Sequence, residues 1–461
     1  MIKWGDIIIP ITLSQLARIT KGYIKQKIKK KITIQSISID SNNITKDCLF
    51  IALIGKRFNA HNFIDQVIAN GAKLLLVEQE LDVNCAQIIV KNTRIAMGQI
   101  ASWIRQNCKI CVIGLTGSSG KTTVKEMLGS ILSEYGNTLY TSGNFNNDIG
   151  VPLTLFKLTP KHNFAIIEIG ASKPNEIKYL TKIIKPNISL VNNLFNAHIE
   201  GFQSIKNIKK EKGEIYKITN KTGSVIVNLD SYSKKWKFHP KQTILYFSLN
   251  KKQKTNFYAS NIQFEKLTTN FILHTPIGDT NIFLQLIGKH NISNALAASA
   301  LAIAAGATLD HIKQGLKKIK PILGRLYPIY IDKSKILLDD SYNSNNGSMF
   351  AAINVLISMP GYKVLVISDT AELGKFSYKY HKNIALIIKN SEINKILSIG
   401  KFSTIIKTFN KNTEHFNFKK KILIRLLELI EQNKTISILI KGSRSFHMEE
   451  IVNKLKEFFK C

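Results

Sequence analysis

Between positions 114 and 123 the chain reads Gly-Leu-Thr-Gly-Ser-Ser-Gly-Lys-Thr-Thr. Glycines in such a run let backbone N–H groups approach an anion, and a Lys-Thr pair opening a helix adds a cation and a hydroxyl beside it. The spacing departs from the common phosphate loop, which has a glycine where this chain has Leu115; the glycines fall instead at Gly114, Gly117 and Gly120. The chemistry still reads as triphosphate binding. Gly117, Ser118, Ser119 and Gly120 would cradle phosphate, Lys121 would reach the β- and γ-phosphates, and the Thr122 hydroxyl would ligate magnesium, with Thr123 in the same nucleotide set.

Two more side chains could join this chemistry. Glu168 closes the apolar run "FAIIEIG", at the carboxyl end of a strand, where an α/β sheet keeps its ligands. An ionised carboxylate there needs a partner, and magnesium beside a triphosphate would supply one. His198, in "NNLFNAHIEGF", falls just past the next strand; alone, such a histidine reads as a helix cap or a packed ring.

The elements that must hold these groups alternate. "ICVIGLT" leads into "KTTVKEMLGSILSEY", and "FAIIEIG" and "ISLVNNL" follow with helical segments between them, the pattern of a mostly parallel sheet covered by helices. Three blocks emerge, and the fold class is α/β with three domains. Residues 1–84 form a small α/β domain that opens with a capped amphipathic helix from Thr12 to Ile19. Residues 85–322 form a central P-loop-type domain with a mostly parallel sheet, β-rich between 223 and 288 before the Ala-rich "NISNALAASALAIAAG". From 323 to 461 the rhythm restarts with "KILLDDS", "YKVLVISD", "KILSIG" and "TISILIKGS", a Rossmann-like domain.

Bulk properties fit this frame. With 461 residues, 44% of them hydrophobic, the chain can bury several cores of roughly 100–200 residues each. Its apolar runs stop well short of the roughly 20 residues that span a bilayer, and no cleavable signal precedes them, so a cytoplasmic protein without membrane insertion is expected. The formal charge of +34 raises nucleic acid as a partner, but no basic tail or reader motif accompanies it. Lysine is spread through the chain with a surplus of Ile and Asn, as A- and T-rich codons would produce, and no nucleic-acid partner is expected. Cys48, Cys85, Cys108, Cys111 and Cys461 are odd in number and scattered, which describes neither a disulfide framework nor a zinc site.

The loop, Glu168, His198, "GKHNISNALAA", "GR" at 324–325 and "DDSYNSN" at 339–345 together resemble the Mur ligase superfamily, in motif order from about residue 10 to 455. "TSGNFNNDIGVPLTL" at 141–155, "AELG" at 371–374 and "LIKGSRSFHMEE" at 439–450 extend the likeness. The resemblance implies an ATP-dependent amide ligase that phosphorylates the terminal carboxylate of UDP-N-acetylmuramoyl-tripeptide and couples it to D-alanyl-D-alanine. It implies ATP and Mg2+, a monomer, and a UDP-binding role for the first domain.

Carried over by position, Lys121, His198 and Lys212 would be catalytic, Lys212 as a carbamate. Thr122 and Glu168 would hold one magnesium ion, and His198 with Lys212 the other. Asn291 and Asn294 match the adenine side, Asp340 the carboxylate that takes the ribose hydroxyls, and Arg325 the arginine that faces the nucleotide across the interdomain hinge. Ser41, Asn144, Asn146 and Asn147 would bind the UDP-peptide. Two positions depart from the family pattern: Asn42 stands where arginine is common, and Ser368 where glycine is usual, a change that matters if the backbone there needs a positive φ. The rivals are another ligase of the superfamily, such as a folylpolyglutamate synthetase, and a basic nucleic-acid-dependent ATPase, for which no further motor motif is found.

Overall fold

The structure, a computed structural model, describes residues 8–25, 32–195, 199–231, 236–250 and 253–460. At its centre lies a six-stranded sheet whose strands run, in spatial order, Thr243–Phe247, Ser224–Asn228, Ile188–Val191, Cys111–Thr116, Phe164–Glu168 and Thr138–Tyr140. Every pairing in it is parallel. Parallel strands with both faces covered read as unbroken apolar runs, and the middle strands consist of fully buried Ile, Leu and Val with few polar interruptions. The phosphate loop and Glu168 therefore leave adjacent strands at the same end: Glu168 pairs in register with Leu115.

A three-stranded antiparallel sheet, Tyr258–Glu265, Thr268–Thr275 and Gly278–Leu284, packs beside this unit, where the sequence turned β-rich. The helix Lys289–Ala304 is buried along almost its whole length, as expected for a helix apolar all round. It packs, with Leu309–Lys318, on the loop helix Lys121–Ser133.

The last sheet runs Tyr327–Tyr330, Lys335–Asp340, Ile436–Lys441, Tyr362–Ser368, Lys395–Ile399, Thr413–Phe416. Only the Tyr327–Tyr330 edge is antiparallel. The four strands read from the sequence are all present, and the two edge strands were not read. Asp340 and Lys441 end neighbouring strands and face each other in register. Ser368 sits in a strand and is absent from the positive-φ residues, so a serine fits its backbone. Its hydroxyl fills the space beside Gly442, where a Cβ would collide with it.

The N-terminal helix is Leu13–Thr20, with Thr12 as its cap in a reciprocal capping box with Gln15. The first sheet is ordered Tyr23–Ile24, Ala86–Ile89, Leu74–Val77, Leu49–Ile51, Ile37–Ser38. Its strand Ala86–Ile89 lies beyond residue 84, so the first boundary read from sequence cuts through a sheet and is corrected. A helix, Thr93–Asn107, follows that strand and packs on Leu13–Thr20 as well as on the central helices Gly150–Leu155 and Glu176–Ile184. Since Ala86–Ile89 is paired into the first sheet and the chain enters the central sheet only at Cys111, the proposed division moves to about residue 108. At the other junction the chain leaves the central unit after Leu309–Lys318 and reaches the last sheet at Tyr327; residue 322 stays the proposed boundary there.

Cys48, Cys85, Cys108 and Cys111 are free thiols. Burial pushes Cys111 and Cys48 up to about 11, which disfavours the thiolate that redox or metal chemistry needs.

Candidate active site

The phosphate loop is held from two directions. The Gly120 φ of 74° lies in the left-handed region, and a Cβ there would come within 2.6 Å of Asn294 Oδ1 and 2.8 Å of Asn192 Nδ2, so glycine is required on both counts. From below, Asn192 Nδ2 donates to Ser119 O at 3.0 Å and to Asn294 Oδ1 at 3.1 Å, while Asn193 Oδ1 accepts from Ser119 N at 2.8 Å. From the last domain, the Ser119 hydroxyl bonds Asn345 Oδ1 at 3.0 Å and Asn345 Nδ2 donates to Ser118 O at 3.1 Å. Asn345 also caps the helix Asn346–Ser358.

Lys121 opens the loop helix and donates to Gly117 O at 3.0 Å. Burial lowers its pKa, opposed by the charge of Glu168, and Arg325 lowers it further. Glu168, 1% exposed, accepts from Thr122 Oγ1 at 3.0 Å and from Asn146 Nδ2 at 2.7 Å. Arg325 Nη2 reaches across from the last domain to Thr122 Oγ1 at 2.9 Å and its guanidinium lies 4.5 Å from the centre of the Tyr342 ring. Lys441 Nζ contacts Asp340 Oδ2 at 2.6 Å and donates to Asn343 O at 2.9 Å. Burial pushes the Asp340 carboxyl up, and the Lys441 ammonium pulls it back down.

Apart from Gly117 and Asn192, these groups line one cavity of about 1600 Å³, whose lining does not include Lys212. Ser118 to Thr123, Asn144, Asn146, Asn147, Glu168, Asn291, Asn294, Arg325 and Asp340 all reach it. Asn291 and Asn294 bond to each other at 3.3 Å, and Asn147 Oδ1 accepts from Gly150 N at 2.8 Å, which turns the chain into the helix Gly150–Leu155. Lys212, on the helix Ile205–Ile218, is 2% exposed; burial and then the charge of Lys121 bring its pKa down to about 7. Its neighbour Glu211 is turned away to accept from Asn175 N and Ile177 N, both at 2.9 Å. Ser41 does not line the cavity; it lies in the first unit, where its carbonyl accepts from Asn70 Nδ2 at 3.4 Å. Asn42 accepts from Gln66 Nε2 at 3.2 Å. His198 lies outside the described residues.

Sequence reasoning missed Lys441, Asn192, Asn193 and Asn345. The signal was present in "LIKGSRS", "VNNLF" and "DDSYNSN", but nothing in the letters says which of several adjacent asparagines turns inward. No group of three or more His, Cys, Asp or Glu side chains that could hold a metal occurs among the described residues. The donors at Thr122 and Glu168 are hard oxygens with a single carboxylate, the set magnesium takes when substrate phosphates complete its shell.

A parallel sheet with a phosphate loop at its carboxyl end, closed over by a second sheet that brings a carboxylate and an arginine, defines a nucleotide-dependent ligase architecture. The chain belongs to the Mur ligase family: the profile described as "Mur ligase middle domain" matches residues 115–302, and that described as "Mur ligase family, catalytic domain" matches 33–108. It is 46% identical to the UDP-N-acetylmuramoyl-tripeptide--D-alanyl-D-alanine ligase of Escherichia coli (strain K12), over 98% of this chain and 100% of that one. It is 45% identical to the ligase of the same name from Buchnera aphidicola subsp. Acyrthosiphon pisum, over 97% of this chain and 98% of that one. A crystal structure of MurF from Acinetobacter baumannii, 36% identical, superposes with a TM-score of 0.90 and covers 98% of this chain and 100% of its own.

Proposed function

We propose that this chain joins D-alanyl-D-alanine to UDP-N-acetylmuramoyl-tripeptide at the expense of ATP. The observation that carries the reading is that the phosphate loop and the Asp340–Lys441 pair line one cavity, in a chain that matches a relative of that activity over 98% of its length. The γ-phosphoryl group passes to the peptide's terminal carboxylate, giving an acyl phosphate and ADP. The dipeptide amine then attacks the acyl carbon, and the tetrahedral intermediate expels phosphate as the amine loses its proton.

Two anions must meet in the first step, so preorganised positive charge is the main requirement. Lys121 and Arg325 supply it from opposite domains. Asp340 accepts the ribose hydroxyls beside its partner Lys441, and Asn291 and Asn294 border the adenine side. Asn144, Asn146 and Asn147 face the UDP-peptide, and Ser41 acts at the far, uridine end. Thr122 and Glu168 would hold one magnesium ion and a carbamate on Lys212, with His198, a second; the metal supplies charge neutralisation on the phosphates. A cytoplasmic monomer that needs no nucleic acid completes the reading. Among the described residues no helix is long and apolar enough to cross a membrane.

ADP release tests it. D-alanyl-D-alanine with UDP-N-acetylmuramoyl-tripeptide should drive turnover, whereas D-glutamate, L-glutamate, RNA or DNA should not; turnover with a single amino acid as acceptor would mean a different ligase of the family. A second expectation concerns shape. Because Arg325 and Asn345 touch the phosphate loop only while the last domain lies over the central one, small-angle scattering should show compaction on adding an ATP analogue and both substrates. An unchanged radius of gyration would count against a moving last domain.

A further inference from the structure

One turn beyond Lys121 the loop helix carries a second lysine that the chemistry above does not use. Lys125 is 0% exposed, a burial that Lys441 alone matches among the described lysines. Lysine is almost never fully buried unless paired. An apolar residue would escape that cost, so the buried ammonium points to a role at this position.

Its contacts indicate which. Lys125 Nζ lies 2.9 Å from Glu126 Oε1 and donates to Gly143 O at 3.2 Å. Gly143, with φ 53°, belongs to the segment between the strand Thr138–Tyr140 and the helix Gly150–Leu155. The same segment grips Glu168 twice: Thr141 Oγ1 accepts from Glu168 N at 3.0 Å, and Asn146 Nδ2 donates to Glu168 Oε1 at 2.7 Å. Glu168 Oε2 then accepts from Thr122, three residues before Lys125 on the helix. The contacts form a closed ring: helix, Thr122, Glu168, Asn146, Gly143, Lys125, and back to the helix.

We infer that Lys125 is a positioning residue that pins the 141–149 segment to the nucleotide-binding helix, and so fixes the asparagine face that receives the UDP-peptide, while Glu168 stays held by Thr122 Oγ1 and Thr141 Oγ1. The inference rests on the proposed function for its substrate. A merely structural lysine would lower stability and affect both substrates alike; this one acts on one substrate.

The test compares wild type, Lys125→Met, Lys125→Arg and Glu126→Gln by ADP release, with ATP and UDP-N-acetylmuramoyl-tripeptide varied separately, and by amide hydrogen exchange of the substrate-free protein. Losing a hydrogen bond from a charged donor corresponds to roughly tenfold or more. Lys125→Met should raise KM for the UDP-peptide about tenfold and leave that for ATP within about twofold. Amides 142–147 should exchange about tenfold faster while the phosphate loop is unchanged, and Lys125→Arg should recover most of both effects. Parallel changes in the two KM values, unaltered exchange of the segment, or an arginine variant no better than methionine would overturn the inference. Should Lys125→Met not fold, Glu126→Gln decides: a rise in UDP-peptide KM alone supports it, and no rise or a parallel rise refutes it. A wild-type protein inactive with D-alanyl-D-alanine would refute the proposed function instead, and the exchange experiment, which needs no substrate, would still judge Lys125.

Discussion

Lys121→Ala should lower kcat by several orders of magnitude while the protein stays folded. The ammonium is fixed by Gly117 O at 3.0 Å and lies where burial makes an uncompensated charge costly. A cation held in that way gains most when negative charge builds on the γ-phosphate during transfer, so its removal should cost about 3–5 kcal/mol of transition-state stabilisation. The loop itself should survive, since its shape rests on Asn192, Asn193 and Asn345 rather than on Lys121. Steady-state ADP release and a thermal melt measure the two halves of this expectation. Near-normal ligation by the alanine variant would remove the assignment of the ATP site.

Lys212→Ala should abolish most activity, and formate or acetate should restore part of it. Carbon dioxide adds only to a neutral amine: the ammonium first gives up one proton, the N–C bond forms, and a second proton leaves the nitrogen, so that a cation becomes an anionic carbamate. An ordinary lysine near 10.5 offers little neutral amine at neutral pH, but burial and the neighbouring charge of Lys121 bring Lys212 down to about 7. The sign follows: protonation below about 7 blocks the addition, so the carbon dioxide requirement should be sharpest on the acid side and relax as pH rises through that value. Glu211 cannot substitute, because both its oxygens are committed to the helix Glu176–Ile184 and its cap. Full activity of the alanine variant without added acid would sink the carbamate.

The parts of this molecule that follow from local pattern were legible. The strands ending at Thr116, Glu168, Asp340 and Lys441 are continuous apolar runs followed by polar residues, and that pattern alone puts ligand groups at one end of a parallel sheet. The positions of Lys121, Thr122 and Glu168 could be read because they follow from where a strand stops and a helix starts. Pairing between strands distant in sequence was not legible: that Asp340 faces Lys441 depends on Ile436–Lys441 inserting between two strands that precede it. The first boundary failed for a related reason. Ala86–Ile89 is a short strand joined to its sheet by backbone pairing with Leu74–Val77, and composition at residue 84 carries no trace of that partner.

The connection between the central unit and the last sheet contains two residues in the left-handed region, Gly324 at φ 72° and Leu326 at φ 53°. Glycine occupies that region freely, but for leucine it costs roughly 1–2 kcal/mol. Gly324 O accepts from Tyr342 N at 3.1 Å and Arg325 lies over the Tyr342 ring, so the bend is fastened to the same residues that complete the nucleotide site. A strained side chain at a joint behaves as a weak preload. It leaves the bent form less favourable, by a factor of roughly 5–30, than the contacts across the cleft, Arg325 to Thr122 and Asn345 to Ser118 and Ser119, would make it alone, so the balance at this joint is set partly by the residue at position 326.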